Sequence, residues 1–244
     1  MTKIFEALQR VEEPLSTPTG RRSSLAGKTE FPPALEMEDA TRGELTRLVQ
    51  SMFLRPGGLR AVAFAGVEPG AGCSWLLVRI AELLGDANAG TVCVVDANLR
   101  SPALHTSVGA DHGYGLSDAL MGTDPIESYV QRLGSGRLRL LSSGSTGEKA
   151  EPLLASTAFQ RRVDELRAKF DYVIFDTPAV SMRSDALAVA SRVDGLALVV
   201  EANSTRREAA RKALQYAAAA NVRMLGVILN QRTYPMPEAL YNRL

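Results

Sequence analysis

The sequence is short of several things, and each shortage narrows what the chain can be. Of its 244 residues only two are cysteines, Cys73 and Cys93. Two thiols do not make the disulfide framework of a small secreted domain, and they are compatible with a reducing cytoplasm. Two histidines, His105 and His112, offer little to a metal site, and both read as residues of the loop that follows Asp96. Charge of one sign is missing as well: 28 Lys and Arg stand against 27 Asp and Glu, a formal net charge of +1. That balance gives no global electrostatic case for nucleic acid or for an anionic lipid surface, so no nucleic-acid partner is expected. No apolar run reaches the roughly 18–20 residues of a membrane span, and the N-terminus has no signal-peptide core. Any membrane role then goes through a partner.

What is present suits a globular chain. Hydrophobic residues make up 45% and charged residues 23%, ordinary values for a length that can bury one large α/β core. Residues 1–13 form a first unit. Within it Ile4, Phe5, Leu8 and Val11 share one helical face, and Thr2 is a suitable N-cap. So short a helix is unstable alone, which makes it a docking helix for its own domain, another copy or a partner. Residues 14–36 are rich in Pro, Ser, Thr, Gly and Arg, with Pro32-Pro33 near the end, the composition of a flexible linker.

Residues 37–244 alternate. The pattern predicts helices at about 38–54, 73–84, 155–169, 184–191 and 205–220. It predicts strands at about 59–66, 91–95, 138–141, 172–175, 195–200 and 224–229, with a long loop and short helices after the second strand. Continuous apolar strands between amphipathic helices indicate a mostly parallel sheet covered on both faces, an α/β/α sandwich. Ligands in such sheets bind at the carboxyl ends of the strands. Asp96, Asp176 and Asn230 all fall there.

So does a glycine-rich turn. Gly66-Val-Glu-Pro-Gly-Ala-Gly-Cys-Ser74 follows the apolar run Ala61–Ala65 and opens a helix. That is the layout of a P-loop, in which backbone N–H groups face the phosphates of a nucleotide. Gly70, Ala71 and Gly72 permit the close approach, the Ser74 hydroxyl suits Mg²⁺, and Asp96 and Asp176 are strand-end carboxylates able to hold the metal or its waters. The bland alternative is a tight strand-to-helix connection with two ordinary strand-end acids. One part is missing. Where the motif has lysine the chain has Cys73, and Glu68 adds negative charge. A thiol at a helix N-terminus can have a lowered pKa, so Cys73 is either a reactive thiol or a plain small filler.

Further segments carry a family resemblance. Thr2-Lys-Ile-Phe-Glu-Ala-Leu8, Val95-Asp96-Ala-Asn98-Leu-Arg100-Ser-Pro102 and Gly115-Leu-Ser-Asp-Ala-Leu120 stand in order. Phe170-Asp-Tyr-Val-Ile-Phe-Asp176-Thr-Pro178-Ala-Val180, Ser184-Asp185-Ala-Leu187, Val193-Asp194-Gly195, Gly226-Val-Ile-Leu-Asn230 and Tyr234-Pro-Met-Pro-Glu-Ala-Leu-Tyr241 follow. Over residues 2–12 and about 38–244 the chain resembles the bacterial tyrosine kinases (BY-kinases) of exopolysaccharide synthesis, and most of all their soluble autokinases. The resemblance implies a cytoplasmic P-loop NTPase domain that uses Mg·ATP and phosphorylates tyrosines of a C-terminal tail between neighbours in a ring. It implies a membrane polysaccharide co-polymerase as partner and membrane association through it. Carried over by position, Gly70 to Ser74 would hold phosphates, with Trp75 beside them. Ser74, Asp96 and Asp176 would serve magnesium, Asp96 would also orient the acceptor hydroxyl, and Asn230 would approach the adenine. Glu44, Arg47 and Gln50 occupy the family's oligomer motif.

The departures run one way. Cys73 replaces the Walker A lysine, Asn98 replaces the second aspartate of Walker A′, and Trp75 stands where a small residue follows the Ser/Thr. Gln50 replaces the last oligomer arginine, and the tail has Tyr234 and Tyr241 but no tyrosine cluster. Losing a hydrogen bond to a charged group costs roughly 1.5–3 kcal/mol, and losing one preorganised electrostatic donor costs about 10²–10³ in rate. The expectation is a pseudokinase that retains ATP or ADP with Mg²⁺, if anything, as a ligand. The alternatives are an active kinase or ATPase whose missing charge comes from a neighbour or partner, and a partitioning- or positioning-type ATPase. The last class carries a second loop lysine where this chain has Glu68.

Overall fold

The protein is described by a computed structural model, which covers residues 39–87, 90–134, 136–145 and 150–231. The expected docking helix, the linker, and Tyr234 and Tyr241 lie outside the described residues.

Most of the strands are the apolar runs of the sequence. β1 (Ala61–Gly66) and β2 (Val92–Asp96) are buried at every position. β5 (Tyr172–Thr177) and β6 (Leu196–Glu201) are buried along most of their length. A strand with no polar alternation has no solvent face, and over these four strands both faces of the sheet are covered. With β3 (Gln131–Leu133), β4 (Leu138–Leu141) and β7 (Met224–Asn230) the described strands form a seven-stranded sheet of order β3-β4-β2-β5-β1-β6-β7. Every pairing is parallel except β3 with β4.

The helices are α1 (Asp39–Val49), α2 (Cys73–Asp86), α3 (Leu104–Ser107), α4 (Leu116–Met121), α5 (Ala150–Ala155), α6 (Thr157–Lys169), α7 (Asp185–Ala190) and α8 (Arg207–Ala219). The first three pack on one face around Phe64, Leu77, Ile80 and Leu84. The other five pack on the opposite face around Phe159, Phe175, Val163 and Leu198. Each such side chain contributes about 1.5–3 kcal/mol by leaving water. The architecture is the three-layer α/β/α expected from the pattern.

Three local differences have physical reasons. The first helix does not run uniformly to residue 54 but closes in a π-turn over Gln50–Leu54, and Gly58 and Leu59 then bond back to Arg55 and Met52. The helix expected at 155–169 begins afresh at Ser156, whose hydroxyl accepts from Phe159 N–H at 3.2 Å, a side-chain cap that ends α5 and starts α6. The three residues of β3 carry no readable period, and the antiparallel partner Leu138–Leu141 sets them as a strand.

The centre of the sheet positions the site. β5 lies between β2 and β1, with Asp96 in register with Asp176 and Ala65 with Thr177. The two strand-end acids and the exit of β1 therefore share one edge.

Candidate functional site

The turn from β1 into α2 is held open by its glycines. Gly70 and Gly72 have φ of 88° and 74°, the left-handed region that side chains avoid. A Cβ on Gly72 would also run into the Asn230 side-chain amide. Asn230, at the end of β7, donates its Nδ2–H to the Ala71 carbonyl at 2.9 Å. Its amide nitrogen thus clamps the loop itself. On the other side Val180 N–H and Ser181 N–H donate to the carbonyls of Gly66 and Val67 at 2.9 and 3.1 Å. The loop is fixed from the segment after β5 as well as from β7.

Ser74 and the two aspartates come together. Ser74 Oγ donates to Asp176 Oδ2 at 2.5 Å. Asp176 is buried, and burial together with the nearby charge of Asp96 outweighs that hydrogen bond and raises its carboxyl to about 7. Asp96 is fully buried. Its Oδ1 accepts from Asn98 N–H at 3.0 Å and its Oδ2 from Leu104 N–H at 3.3 Å, yet burial still lifts it to about 6. A hydroxyl and adjacent carboxylates are the hard oxygen donors that Mg²⁺ takes, so the residues fit the metal. Among the described residues no group of three or more His, Cys, Asp or Glu could hold an ion alone. A cation here would draw further ligands from phosphate and water.

Cys73 differs from the reactive reading. Burial, then the charge of Asp176 beside it, push its thiol well above its ordinary value. The helix N-terminus does not offset this, which favours the filler over the reactive thiol. Trp75 does not turn into the core: it stays 38% exposed on the cavity wall, with the Arg79 guanidinium 5.6 Å from its ring centroid. Asn98 faces the same cavity, but its amide closes a local turn. Nδ2 donates to the Ser101 carbonyl at 2.9 Å, and Oδ1 accepts from Ser101 N–H at 3.3 Å.

The cavity has a volume of about 560 Å³ and is bounded by the loop, Asp176 and the residues that follow it. Two cations line it, Arg100 and Arg183. Arg100 Nε is paired to the buried Asp185 Oδ2 at 3.1 Å. Arg183 is exposed and makes no ion pair among the described residues. Sequence reasoning passed over Arg183. The available signal was an arginine seven residues beyond a strand-end aspartate, in the segment that must run along the strand ends.

Other sequence candidates lie elsewhere. Glu44, Arg47 and Gln50 form an exposed stripe at helical spacing on α1 and its terminal turn. His105 and His112 stack edge to face, ring centroids 4.4 Å apart, and His112 Nε2 meets Ser143 Oγ at 3.3 Å. Arg206 precedes α8 and borders a second hollow with Glu68 and Glu201. Asp118 takes the N–H groups of Gly115 and Ser145 at 2.9 and 3.0 Å, which fixes the start of α4.

No family model matches the chain. Relatives and solved structures do. The tyrosine-protein kinase YwqD of Bacillus subtilis is 30% identical over 172 residues, 70% of this chain and 72% of that protein. The succinoglycan biosynthesis transport protein ExoP of Rhizobium meliloti is 30% identical over 188 residues, 76% of this chain but only 24% of its own length. The crystal structure of the VpsO kinase domain superposes with a TM-score of 0.69 at 27% identity, covering 80% of this chain and 92% of that one. A P-loop, paired strand-end aspartates and this sheet order, on a chain that shares three residues in ten with YwqD over most of both lengths, make this protein a member of the bacterial tyrosine-protein kinase family of exopolysaccharide synthesis.

Proposed function

We propose that this chain is a pseudokinase: a kinase scaffold kept as a regulatory or scaffolding subunit of an exopolysaccharide assembly system. The observation that carries the reading is Cys73. At the position of the phosphate-binding lysine stands a neutral thiol turned toward Asp176. Phosphoryl transfer rests almost wholly on positioning and on positive charge at the transferring group. One donor removed costs about 10²–10³ in rate. Asn98 adds to the loss, because an amide engaged on both sides by Ser101 is not a base.

The remaining parts suit binding. The backbone of Gly70 to Ser74 would cradle phosphates, and Ser74 with Asp176, and Asp96 beside it, would hold Mg²⁺ of a bound ATP or ADP. Bound metal supplies neutralising charge. The exposed stripe of Glu44, Arg47 and Gln50 is where a neighbouring copy would sit. Relatives such as ExoP, named for polysaccharide transport, support a membrane polysaccharide co-polymerase as partner and a cytoplasmic protein recruited to the membrane by it. No described helix is long and apolar enough to cross a membrane. The segment 1–13, tethered by 14–36, is a further docking element.

The test is autophosphorylation. Purified protein incubated with Mg·ATP is expected to give no phosphotyrosine by antibody or mass spectrometry. Robust phosphotyrosine, lost in Asp176→Ala, overturns the reading. It would favour the active alternative, which has one observation behind it: the two arginines on the cavity wall.

A further inference from the structure

The phosphate loop is poor in positive charge. Its cavity is bordered by Glu68 and Asp176, Asp96 lies just behind, and the loop contributes no cation. A polyphosphate entering such a site meets like charge from Glu68 and Asp176, with only the backbone N–H groups of the loop to answer it. Positive charge is nevertheless present on the wall that follows Asp176.

That wall is the turn between β5 and α7. Val180 and Ser181 are bonded to the first two residues of the glycine loop, and Met182 N–H closes a turn on the Ala179 carbonyl at 3.0 Å. The next residue is Arg183. Its backbone is therefore set against the loop, and its side chain borders the same cavity as Cys73 and Ser74. Arg100, the other cation there, is tied to a carboxylate that is 1% exposed. Arg183 has no such tie among the described residues. A guanidinium offers a planar fork of donors that matches phosphate oxygens in pairs.

We propose that Arg183 supplies, from the β5–α7 turn, the positive charge that the glycine loop lacks, and so makes the cavity a binding site for the terminal phosphate of a nucleoside polyphosphate. The inference deepens the pseudokinase reading and rests on its P-loop cavity, but it concerns binding and not transfer. The charge comes from the β5–α7 turn and not from the glycine loop. Binding is thereby retained without a cation on the loop itself.

The experiment is a titration of the full chain with Mg·ADP, Mg·ATP and Mg·pyrophosphate, read by Trp75 emission and by calorimetry. Trp75 is the chain's one tryptophan and borders the cavity. Arg183→Ala is expected to weaken ADP and ATP binding about ten- to hundredfold, the range for a hydrogen bond to a charged group. Arg183→Lys should recover part of it, and Cys73→Lys in the Arg183→Ala background should restore binding by the other route. Arg132→Ala, an exposed arginine on β3 four strands from the loop, controls for net charge and should bind as the parent does. Pyrophosphate that binds as tightly as ADP, with the same Arg183 dependence, supports the phosphate assignment. Two results overturn it: Arg183→Ala binding within twofold of the parent, or a parent that binds none of the three ligands at millimolar concentration. Neither touches the pseudokinase reading, which stands or falls on phosphotyrosine.

Discussion

Asp176 is held in a position that works against the fold. Its carboxyl is raised to about 7, first by burial and also by the charge of Asp96 in the adjacent strand. A carboxyl raised on folding favours the native state fully below its unfolded value near 4, and that contribution is lost as pH rises through 7. At pH 8 the ionised group is a cost. Asp176→Asn keeps an acceptor for Ser74 Oγ and removes the charge. It is expected to stabilise the protein at pH 8 by about 2–4 kcal/mol, at roughly 1.4 kcal/mol per pKa unit, with the gain shrinking toward nothing near pH 4. Urea unfolding at several pH values measures it. A variant no more stable than the parent at pH 8 would show that the carboxylate is satisfied as it stands. Sites that keep charge together at the expense of stability are sites under functional constraint. The same desolvation acts on Cys73: of the reactive thiol and the plain filler that the sequence left open, burial and then the neighbouring carboxylate favour the filler.

Among the secondary-structure elements, motif and role separate. The segment Val193-Asp194-Gly195 reads in the sequence as part of a family pattern, with nothing to say what it does. The structure places Asp194 at the start of β1, at the sheet edge opposite the P-loop. Its Oδ2 accepts from Arg60 N–H and Ala61 N–H at 2.7 and 2.9 Å, and its Oδ1 from Arg167 Nη2 at 2.8 Å. Burial alone would raise this carboxyl, but those donors hold it below its ordinary value. Its contribution is therefore present above pH 4 and lost as pH falls. Asp194→Ala leaves two backbone donors and an arginine without their acceptor, which should cost about 2–4 kcal/mol at pH 7 in urea unfolding. Nucleotide affinity should be unchanged, because the residue is a strand length from the cavity. An affinity change matching Arg183→Ala would instead make Asp194 part of the site. Long apolar strands were legible because a parallel sheet needs no alternation. Ser156, which splits one expected helix into α5 and α6, and the three residues of β3 were not, because a cap and an antiparallel partner decide them. Gly70, Gly72, Ser74, Asp96 and Asp176 were legible as a cluster, since strand ends in such a sheet must converge. Arg183 was not, because only the bonds of Val180 and Ser181 to the loop show that its turn folds over the site.

At the scale of the whole molecule, the site joins parts of the chain that are far apart. Gly66, Asp96 and Asn230 end β1, β2 and β7, Asp176 lies one residue before the end of β5, and Asn230 clamps the loop that follows β1. A ligand held there contacts groups brought together only by the finished sheet, so it binds the native state and not the unfolded chain. Such a ligand stabilises by about 2.7 kcal/mol at a hundred times its Kd, which for a domain of this size is roughly 5–10 °C in Tm. Saturating Mg·ADP is therefore expected to raise the melting temperature by about that amount. Mg²⁺ alone should raise it less, by relieving the paired carboxylates. Asp194→Ala should melt lower yet keep the full ADP shift, whereas Arg183→Ala should start from the parent's melting temperature and lose most of it. Calorimetric or fluorescence melts of the three proteins separate the cases. A melting temperature indifferent to Mg·ADP at millimolar concentration would mean that the glycine loop survives only as a connection between β1 and α2, and that a partner recognises the scaffold without nucleotide.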